Sequence, residues 1–550
     1  MSRSGVAPLN SRRLDGWTDP RSSVWGLSPV FFAALLALAT VVHAKTFHWS
    51  SQGDASTLDP HAQNETFTNT INNLVYEYLV TRGKDMKMGP ALATSWKSTG
   101  PTTWIFNLRR GVKFHDGSDF TADDVVFSFD RARLSAVTFK LYANQSGTVR
   151  RIDDYTVEFT TPVPNPVMLE SVGSIFIMSR KWCEKNGVQK PQDVTKKDEN
   201  FATRNAMGTG PYKLVTYEAG VKTLHQKNAD WWGIKAGMDE SNIDALDYRP
   251  IGNAATRMAA LRSGQLDFVL DPPVQDVAAL KADPALHVIE GPEVRIIMIG
   301  FDQARDELAF SDVKGKNPFK DRRVRLALYQ AVDVNAIRTT VMRGLSVPTA
   351  IPLPDAKGAG IPDSYEKRYP YDPAAARKLL AEAGYPNGFG FTLHCPNDRY
   401  INDEKICVAL AGMWARVGVT VRVETMPKAQ YFPRATKRDF SAFMSGWGGG
   451  SSDAIFLLKP NMHSPDAQGA GDANYGGFRD AKLDALIDRV DGEMDRAERQ
   501  KMIDESIGII QREVYVIPLH RQVIPWVVRK GVTVFQLPAN TFRPEWVKVP

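Results

Sequence analysis

Cysteine is scarce in this sequence, which limits how the chain can be stabilised. Its 550 residues include 3 cysteines, Cys183, Cys395 and Cys407, and these allow at most one intramolecular disulfide. A dense disulfide framework of the kind found in small secreted domains is therefore excluded. A chain of this length can instead bury large apolar cores, and the length predicts two to four domains or lobes.

The sequence also lacks the short motifs of the common hydrolases. It contains no Gly-x-Ser-x-Gly nucleophile elbow and no His-Glu-x-x-His zinc motif, and its 9 histidines are dispersed. Ser311 and Ser364 each stand three residues before a lysine, but the companion motifs of the serine-lysine enzymes do not occur. We expect a protein that is not an enzyme, with an exported hydrolase as the remote alternative.

No spacing of histidine and cysteine in the chain is typical of a metal site. His394, Cys395 and His463 have side chains that can ligate a metal, but their spacing fits none of the usual motifs. We therefore expect no cofactor. A binder of metal chelates or haem stays open as an alternative.

A large charge of one sign is missing as well. The formal net charge is +6, with 24% of residues charged, and basic pairs such as Arg109-Arg110 and Lys437-Arg438 stand among acidic residues. Surfaces that bind nucleic acid concentrate positive charge on one face. No nucleic-acid partner is expected.

Long apolar runs are confined to the N-terminus. Residues 31–42 form a largely apolar run that follows several arginines and leads through Val42 into His43-Ala44. This run is too short to span a bilayer comfortably, and no later window of about eighteen apolar residues occurs. The pattern predicts a secretory signal peptide with an extended n-region, cut after Ala44, and hence export to the periplasm.

A glycine-rich stretch is the most prominent candidate for contact with a ligand. Alternation from Phe440 to Ser445 predicts a short strand, which runs into Gly446-Trp447-Gly448-Gly449-Gly450-Ser451-Ser452-Asp453. Three consecutive glycines let a bound molecule approach the backbone, and Trp447 offers a flat apolar face. The alternative is a flexible turn that carries one buried tryptophan.

Local patterns predict an α/β protein. A first strand is expected at 46–49, and a helix at 69–79. Thr121 and Asp124 have the spacing of a capping-box variant at the start of another helix. The pattern over 391–423 is strand, helix, strand, which implies a parallel pair with a right-handed crossover.

Five segments closely resemble, in the same order, the extracytoplasmic solute-binding proteins that feed dipeptide, oligopeptide and nickel ABC importers. They are Trp104-x-Phe106-x-Leu108-Arg109-x-Gly111-Val112-x-Phe114-x-Asp116-Gly117-x-x-Phe120-Thr121-Ala122-Asp123-Asp124-Val125, then Gly208-Thr209-Gly210-Pro211-Tyr212, then Asn317-Pro318-Phe319-x-Asp321-x-Arg323-Val324-Arg325-x-Ala327-Leu328, then Tyr371-Asp372-Pro373-x-x-Ala376-x-x-Leu379-Leu380-x-x-Ala383-Gly384-Tyr385, and Asn474-Tyr475-x-x-Phe478. The resemblance covers essentially all of Lys45 to Pro550.

The resemblance implies the α/β two-lobe periplasmic binding protein fold of type II, with a hinged cleft and an extra domain inserted in lobe I. The implied boundaries are a signal peptide at 1–44, an opening segment of lobe I at 45–78, the inserted domain at 79–206, a middle segment of lobe I at 207–292, lobe II at 293–514 and a C-terminal segment of lobe I at 515–550.

The resemblance also implies a set of ligand-binding residues. Arg399 matches the position at which the family's dipeptide binders hold the ligand carboxylate, and a guanidinium fork suits that role. In the peptide binders an aspartate three residues after the equivalent of Trp447 grips the ligand's α-amino group, and here that position is Gly450. Either another acid supplies this contact or the ligand lacks a free amine. The expected ligand-binding residues are Arg399, Trp447, Gly448, Gly449, Gly450, Asp453 and Tyr475.

As a function, the resemblance implies capture of a peptide or peptide-like small solute by hinge closure and delivery to an ABC permease in the inner membrane. The protein is expected to act as a monomer. The main alternative is a non-peptide solute without a free amine, such as a sugar, an opine, a metal chelate or haem.

Overall fold

The computed structural model describes residues 44–196, 198–448 and 451–550. The predicted signal peptide at 1–44 lies almost entirely outside the described residues. Among the described residues, no helix combines the length and the apolar character that a membrane crossing needs.

Strands and helices alternate through the described ranges, as expected for an α/β protein. The strands are β1 (Thr46–Ser50), β2 (Val80–Arg82), β3 (Met88–Pro90), β4 (Ala93–Gly100), β5 (Thr103–Leu108), β6 (Thr148–Asp153), β7 (Thr156–Thr160), β8 (Tyr212–Glu218), β9 (Lys222–Lys227), β10 (Ala245–Tyr248), β11 (Phe268–Val269), β12 (Leu286–Phe301), β13 (Ser346–Pro348), β14 (Gly390–Pro396), β15 (Thr420–Met426), β16 (Ala442–Gly448) and β17 (Val516–Arg529). The α-helices are α1 (Thr66–Asn72), α2 (Ala122–Arg133), α3 (Phe139–Gln145), α4 (Met168–Val172), α5 (Arg180–Lys185), α6 (Trp232–Lys235), α7 (Ala254–Arg262), α8 (Val277–Ala282), α9 (Arg322–Gln330), α10 (Val334–Ala336), α11 (Pro373–Glu382), α12 (Asp403–Ala415), α13 (Lys428–Thr436), α14 (Ile455–Leu457), α15 (Ala481–Gly492) and α16 (Arg496–Glu513).

One continuous sheet runs through the molecule. Its strand order is β15-β14-β16-β12-β17-β11-β1-β10-β9-β8, with β13 also pairing with β17. β1 is parallel to β10 and β11, and β14 is parallel to β15 and β16. The parallel β14-α12-β15 unit confirms the strand-helix-strand pattern and the parallel pair predicted from residues 391–423, and the right-handed crossover stays a prediction.

Two long antiparallel strands in the middle of this sheet belong to both of its halves. Residues 286–292 of β12 pair with residues 523–529 of β17, close to where β17 meets β11. The other ends pair again, residues 296–300 with 516–521, and there β12 also pairs with β16. The register shifts between Pro292 and Ile296. A shift at this point loosens the ladder between the two halves of the sheet.

The buried apolar side chains form separate cores on the two sides of this shift. The largest core draws on residues 47–270 and 526–547, and includes Trp49 and Trp526. Two further cores draw almost wholly on residues 296–519, and include Trp414 and Ile507. We call residues 45–270 and 526–550 the first lobe, and residues 296–519 the second lobe.

The first lobe also contains a smaller sheet. Strands β4, β5, β7 and β6 form a four-stranded antiparallel sheet that is not paired with the large one. Helix α2 accompanies it, and Thr121 and Asp124 form the predicted capping box at its start. This separate sheet lies within the range expected for an inserted domain, although the boundary at residues 79 and 206 remains a prediction.

Two predicted elements differ from the observed ones. The first helix is α1, which begins at Thr66 and ends at Asn72, earlier than the predicted 69–79, because the Glu65 side chain accepts from the Phe67 and Thr68 amides and caps it. The strand predicted to end near Ser445 continues as β16 to Gly448, because Ile296 and Arg295 of β12 remain paired opposite Trp447 and Gly448.

A buried ion pair fixes the segment between β1 and α1 to helix α2. Arg131 donates to Asp59 through both terminal nitrogens at 2.7 Å, and both side chains are 0% exposed. Asn200 also donates to Asp59, at 3.2 Å. Burial disfavours the charged form of Asp59, but Arg131 outweighs it and the pKa of this carboxyl lies below its usual range.

We expect Asp59→Asn to lower the free energy of unfolding by about 3–5 kcal/mol, because it leaves the buried Arg131 charge without its partner. Chemical denaturation at neutral pH measures this change. Since the native pKa of Asp59 is depressed, its contribution is present at neutral pH and is lost as the pH falls through that pKa. Asp130→Asn is the matched control, because Asp130 is 64% exposed in its pair with Arg133, and it should cost less than about 1 kcal/mol. Equal losses in the two variants would contradict the prediction.

Candidate functional site

A cavity of about 220 Å³ lies where the two lobes meet. The first lobe lines it with polar side chains, notably Asn64, Thr66, Asn69, Tyr78, Arg82 and Glu170. The second lobe contributes Leu353, Asp355, Trp447, Gly448, Ser452 and Asp453. A mixed polar and apolar lining supplied by two lobes is typical of a site that encloses a small solute.

The end of β16 brings Trp447 and Gly448 to the wall of this cavity. The Trp447 indole donates from Nε1 to the Phe456 carbonyl at 2.6 Å, which fixes the orientation of its ring. A Cβ atom at Gly448 would lie 2.2 Å from the Val294 carbonyl oxygen. Only glycine fits here, because the backbone of β16 packs directly against β12.

Asp453 follows on the same wall, but its charge is already neutralised. Arg499 donates to both Asp453 oxygens, at 2.7 and 2.8 Å. The carboxylate also accepts from the Ile455 amide at 2.9 Å. Asp453 therefore shapes the loop after β16 and offers little free negative charge to a ligand.

A second acid, Asp355, faces the same cavity without a cation. It accepts from Ser452 Oγ at 2.7 Å and from the Gly358 amide at 2.9 Å. No lysine, arginine or histidine forms an ion pair with it among the described residues. Asp355 therefore places a carboxylate beside Ser452, which follows Gly450 by two residues in the sequence.

The first-lobe wall offers mainly hydrogen-bonding groups. Arg82 lies 3.8 Å from Glu170, and Arg543 is paired with Glu545. Asn69 donates to Asn64 at 2.9 Å, and its own amide oxygen has no hydrogen-bond partner among the described residues. A buried acceptor without a partner costs about 1–3 kcal/mol, which favours a ligand N–H at this point.

Arg399 lies beside the cavity on a loop closed by a disulfide. Cys395, at the end of β14, is bonded to Cys407 in α12, so the one disulfide that the sequence allows encloses this loop. Tyr400 accepts from the Gly446 amide at 2.8 Å and donates back to the Gly446 carbonyl at 3.2 Å. The Arg399 loop is thereby tied to the strand that carries Trp447.

The guanidinium of Arg399 is already matched with a carboxylate of the other lobe. Its Nε lies 2.9 Å from Glu65 Oε1, and Lys428 Nζ lies 3.1 Å from Glu65 Oε2. Burial opposes ionisation of Glu65, but Lys428 and Arg399 outweigh it and hold its pKa below the usual range. Thr66 Oγ1 is 3.4 Å from Arg399 and also lines the cavity, so the two sites are neighbours.

The structure brings some of the predicted site residues together and separates others. Trp447, Gly448 and Asp453 share the cavity, and Arg399 is next to it. Tyr475 packs against Phe443, with ring centroids 5.9 Å apart, and does not line this cavity. Gly449 and Gly450 lie outside the described residues.

Sequence reasoning did not find Glu65, Asp355 or Lys428. Each stands alone in the chain without a motif, and they are brought to the cleft from different segments. The only available signal was the acid at Glu65 directly before a helix, where a favourable interaction with the helix end is an ordinary explanation. Among the described residues, no group of three or more His, Cys, Asp or Glu side chains is arranged to hold a metal.

Two lobes with separate cores, joined by strands that run through both and enclosing a cavity, define a two-lobe periplasmic binding protein, and the predicted fold class is confirmed. A sequence model of the bacterial extracellular solute-binding proteins, family 5, middle region, matches residues 87–469. The chain belongs to that family.

Curated relatives and solved structures agree with this assignment. Heme-binding protein A of Haemophilus influenzae is 30% identical over 485 residues, which cover 83% of each chain. Di/tripeptide-binding protein 1 of Pseudomonas aeruginosa is 27% identical over 537 residues, which cover 92% of this chain and 94% of that protein. The fold matches that of the periplasmic binding protein DppA from Helicobacter pylori in complex with peptide STSA, with a TM-score of 0.79 and 24% identity over 92% of this chain and 98% of DppA. It also matches AgaA in complex with agropinic acid from A.tumefacien R10, with a TM-score of 0.79 and 25% identity over 92% and 99% of the two chains.

We expect the double variant Cys395→Ala/Cys407→Ala to lose about 2–4 kcal/mol of unfolding free energy, because the bond restricts the unfolded chain. Chemical denaturation measures the loss. Treatment of the wild type with a thiol reductant should lower its stability by the same amount and leave the double variant unchanged. If reductant destabilises both proteins equally, the loss does not come from this bond.

Proposed function

We propose that this protein is the solute-binding component of an ABC importer, located in the periplasm after export. It captures a peptide or peptide-like small solute between its two lobes and delivers it to a membrane permease as a monomer, without changing the solute chemically. The observation that carries the proposal is the cavity to which both lobes contribute. Membership of the solute-binding family and the relative named for di/tripeptides support it.

Capture takes place by closure of the lobes around the solute. The register shift between Pro292 and Ile296 lies where β12 leaves one half of the sheet for the other. Small changes of backbone torsion there rotate one lobe relative to the other without disturbing either core. A solute that touches Asn69 in the first lobe and Trp447 in the second favours the closed form, which the permease recognises. A micromolar dissociation constant, about −8 kcal/mol, is sufficient for such a receptor.

The cavity wall provides contacts that suit a peptide of variable sequence. Trp447 presents an apolar face to which a side chain or peptide plane can pack. The Asn69 amide oxygen, which has no hydrogen-bond partner among the described residues, can accept a hydrogen bond from a ligand's backbone N–H, whatever the ligand's side chains. The ligand-binding roles of all seven predicted residues stay predictions, and for Asp453 the proposed role is to hold its own segment in place through Arg499.

Asp355 is the acid that takes the place of the aspartate missing at Gly450. A charged amine in a closed cleft needs an anionic partner, since an unpaired buried charge costs several kcal/mol. Asp355 lines the cavity, has no cationic partner among the described residues, and is hydrogen-bonded to Ser452 two residues after Gly450. It is therefore the residue that we expect to contact the ligand's amino group.

Replacement of Trp447 by alanine should weaken ligand binding at least tenfold, because the ligand loses its apolar platform. Calorimetry with short peptides measures the affinity, and the melting temperature of the ligand-free variant shows whether it remains folded, since Trp447 is partly buried against the second-lobe core. Trp182→Ala is the control, since Trp182 packs against Phe201 away from the cavity. Unchanged affinity in Trp447→Ala would remove this residue from the site.

Asp355→Asn should weaken binding of peptides with a free amino group at least tenfold and leave binding of the same N-acetylated peptides nearly unchanged. The reason is that only the charged amine needs the carboxylate. Asp363→Asn is the matched control, because Asp363 is exposed and outside the cavity. If Asp355→Asn weakens binding of the free and the N-acetylated peptides equally, Asp355 does not recognise the ligand's amino group.

The proposed function as a whole is tested by calorimetry and solution scattering with a panel of di- to tetrapeptides. We expect heat of binding together with a decrease in the radius of gyration for some of them. Turnover of a peptide or ester substrate, without compaction, would favour the hydrolase and overturn the proposal.

A second candidate solute is haem. The observation that favours it is the 30% identity to a relative named Heme-binding protein A. The described cavity lining contains tyrosines and methionines but no histidine, so an iron ligand would come from Tyr78, Tyr142, Met86 or Met88. Titration with haem, followed by its absorption spectrum, separates this solute from peptides.

A further inference from the structure

Glu65 and its partners connect the two lobes through a buried contact. Glu65 belongs to the first lobe and is 0% exposed, whereas Arg399 and Lys428 belong to the second lobe and are 9% and 3% exposed. The carboxylate lies 2.9 Å from Arg399 and 3.1 Å from Lys428. These are the only ion pairs that Glu65 makes among the described residues.

The position of the Glu65 carboxylate is also fixed by its own lobe. The Phe67 amide donates to Oε1 at 2.9 Å, and the Thr68 amide and hydroxyl each donate to Oε2 at 2.8 Å. A side chain that caps its helix and accepts three hydrogen bonds is not displaced cheaply. Any ligand carboxylate that approaches Arg399 therefore meets a negative charge that stays in place.

The positive charge of Arg399 is already matched without a ligand. Glu65 pairs with both Arg399 and Lys428, and the Lys428 backbone amide donates to Asp398 at 2.6 Å. Glu293 and Asp403 are further acids near Arg399. A ligand carboxylate would add another negative charge to this buried group. Like charges in a poorly solvated cleft repel strongly.

We propose that Glu65 acts as a built-in substitute for a ligand carboxylate at Arg399, and thereby determines the specificity of the site. The solute is held in the neighbouring cavity and presents no carboxylate to Arg399. The ligand class that fits is a peptide-like solute whose carboxyl end is amidated, esterified or otherwise uncharged, or points away from this corner. The ion pairs of Glu65 with Arg399 and Lys428 also hold the two lobes in contact when no ligand is bound. This inference rests on the proposed function for its ligand, but not for its closing contact.

Glu65→Gln is the informative variant, because glutamine keeps an acceptor oxygen for the helix cap and removes only the charge. The probes are trialanine and trialanine amide, measured by calorimetry. For the wild type we expect affinities for the two probes within about threefold of each other. In Glu65→Gln the free acid should bind at least tenfold more tightly than the amide, and the added change Arg399→Gln should abolish that preference. Glu404→Gln is the matched control, since Glu404 is exposed and forms no ion pair among the described residues.

The opposite pattern overturns the inference. If the wild type already prefers the acid at least tenfold and Arg399→Gln alone removes this preference, a ligand carboxylate binds at Arg399 after all. An unchanged ratio of affinities in Glu65→Gln also overturns it.

Solution scattering of ligand-free protein tests the closing contact independently of any peptide. The wild type and Glu404→Gln should be more compact than Glu65→Gln. If neither probe binds any variant, peptide binding is contradicted, and scattering alone then tests whether Glu65 holds the lobes together. Equal radii of gyration in the wild type and Glu65→Gln would reject this role. A larger radius of gyration in Glu65→Gln would support it.

Discussion

The pairing of β12 with β17 is the constraint on which the rest of the structure depends. These strands pair on both sides of the register shift between Pro292 and Ile296, and each side of the sheet carries its own apolar core. Because buried apolar area drives the packing of each lobe separately, each lobe has its own stable core, and the proposed closure assigns the motion to the few residues at the shift. The cavity exists because two preformed lobes meet there, and no single segment encloses it.

The chemistry of the cleft follows from charges that are mostly neutralised in advance. Asp453 is matched with Arg499, Arg543 with Glu545, and Arg399 with Glu65. In a poorly solvated cleft, charges that have partners contribute little net attraction for a ligand. Under the proposed function, recognition depends on the Asp355 carboxylate, which has no cationic partner among the described residues, on the Asn69 amide oxygen, which has no hydrogen-bond partner among them, and on the apolar face of Trp447.

Local sequence patterns predicted much of the fold because they report local physical preferences. The capping box at Thr121 and the parallel strand pair within 391–423 were both found in the structure, since caps and alternation are properties of neighbouring residues. The end of β16 was misjudged because its extension to Gly448 depends on Arg295, far away in the chain. The start of α1 was misjudged because its cap, Glu65, is not one of the usual capping residues.

The sequence by itself determined the class of protein, its α/β character and its limit of one disulfide, because each depends on composition or on spacing within one segment. Only the tertiary structure decided which charges meet. The sequence suggested that Arg399 was available to a ligand carboxylate. No local pattern predicts its pairing with Glu65, because Glu65 comes from the opposite lobe and a distant part of the chain. The physical reason is that a charge acquires its role from whatever charge the fold places a few ångströms away, and that distance is set by how the two lobes pack.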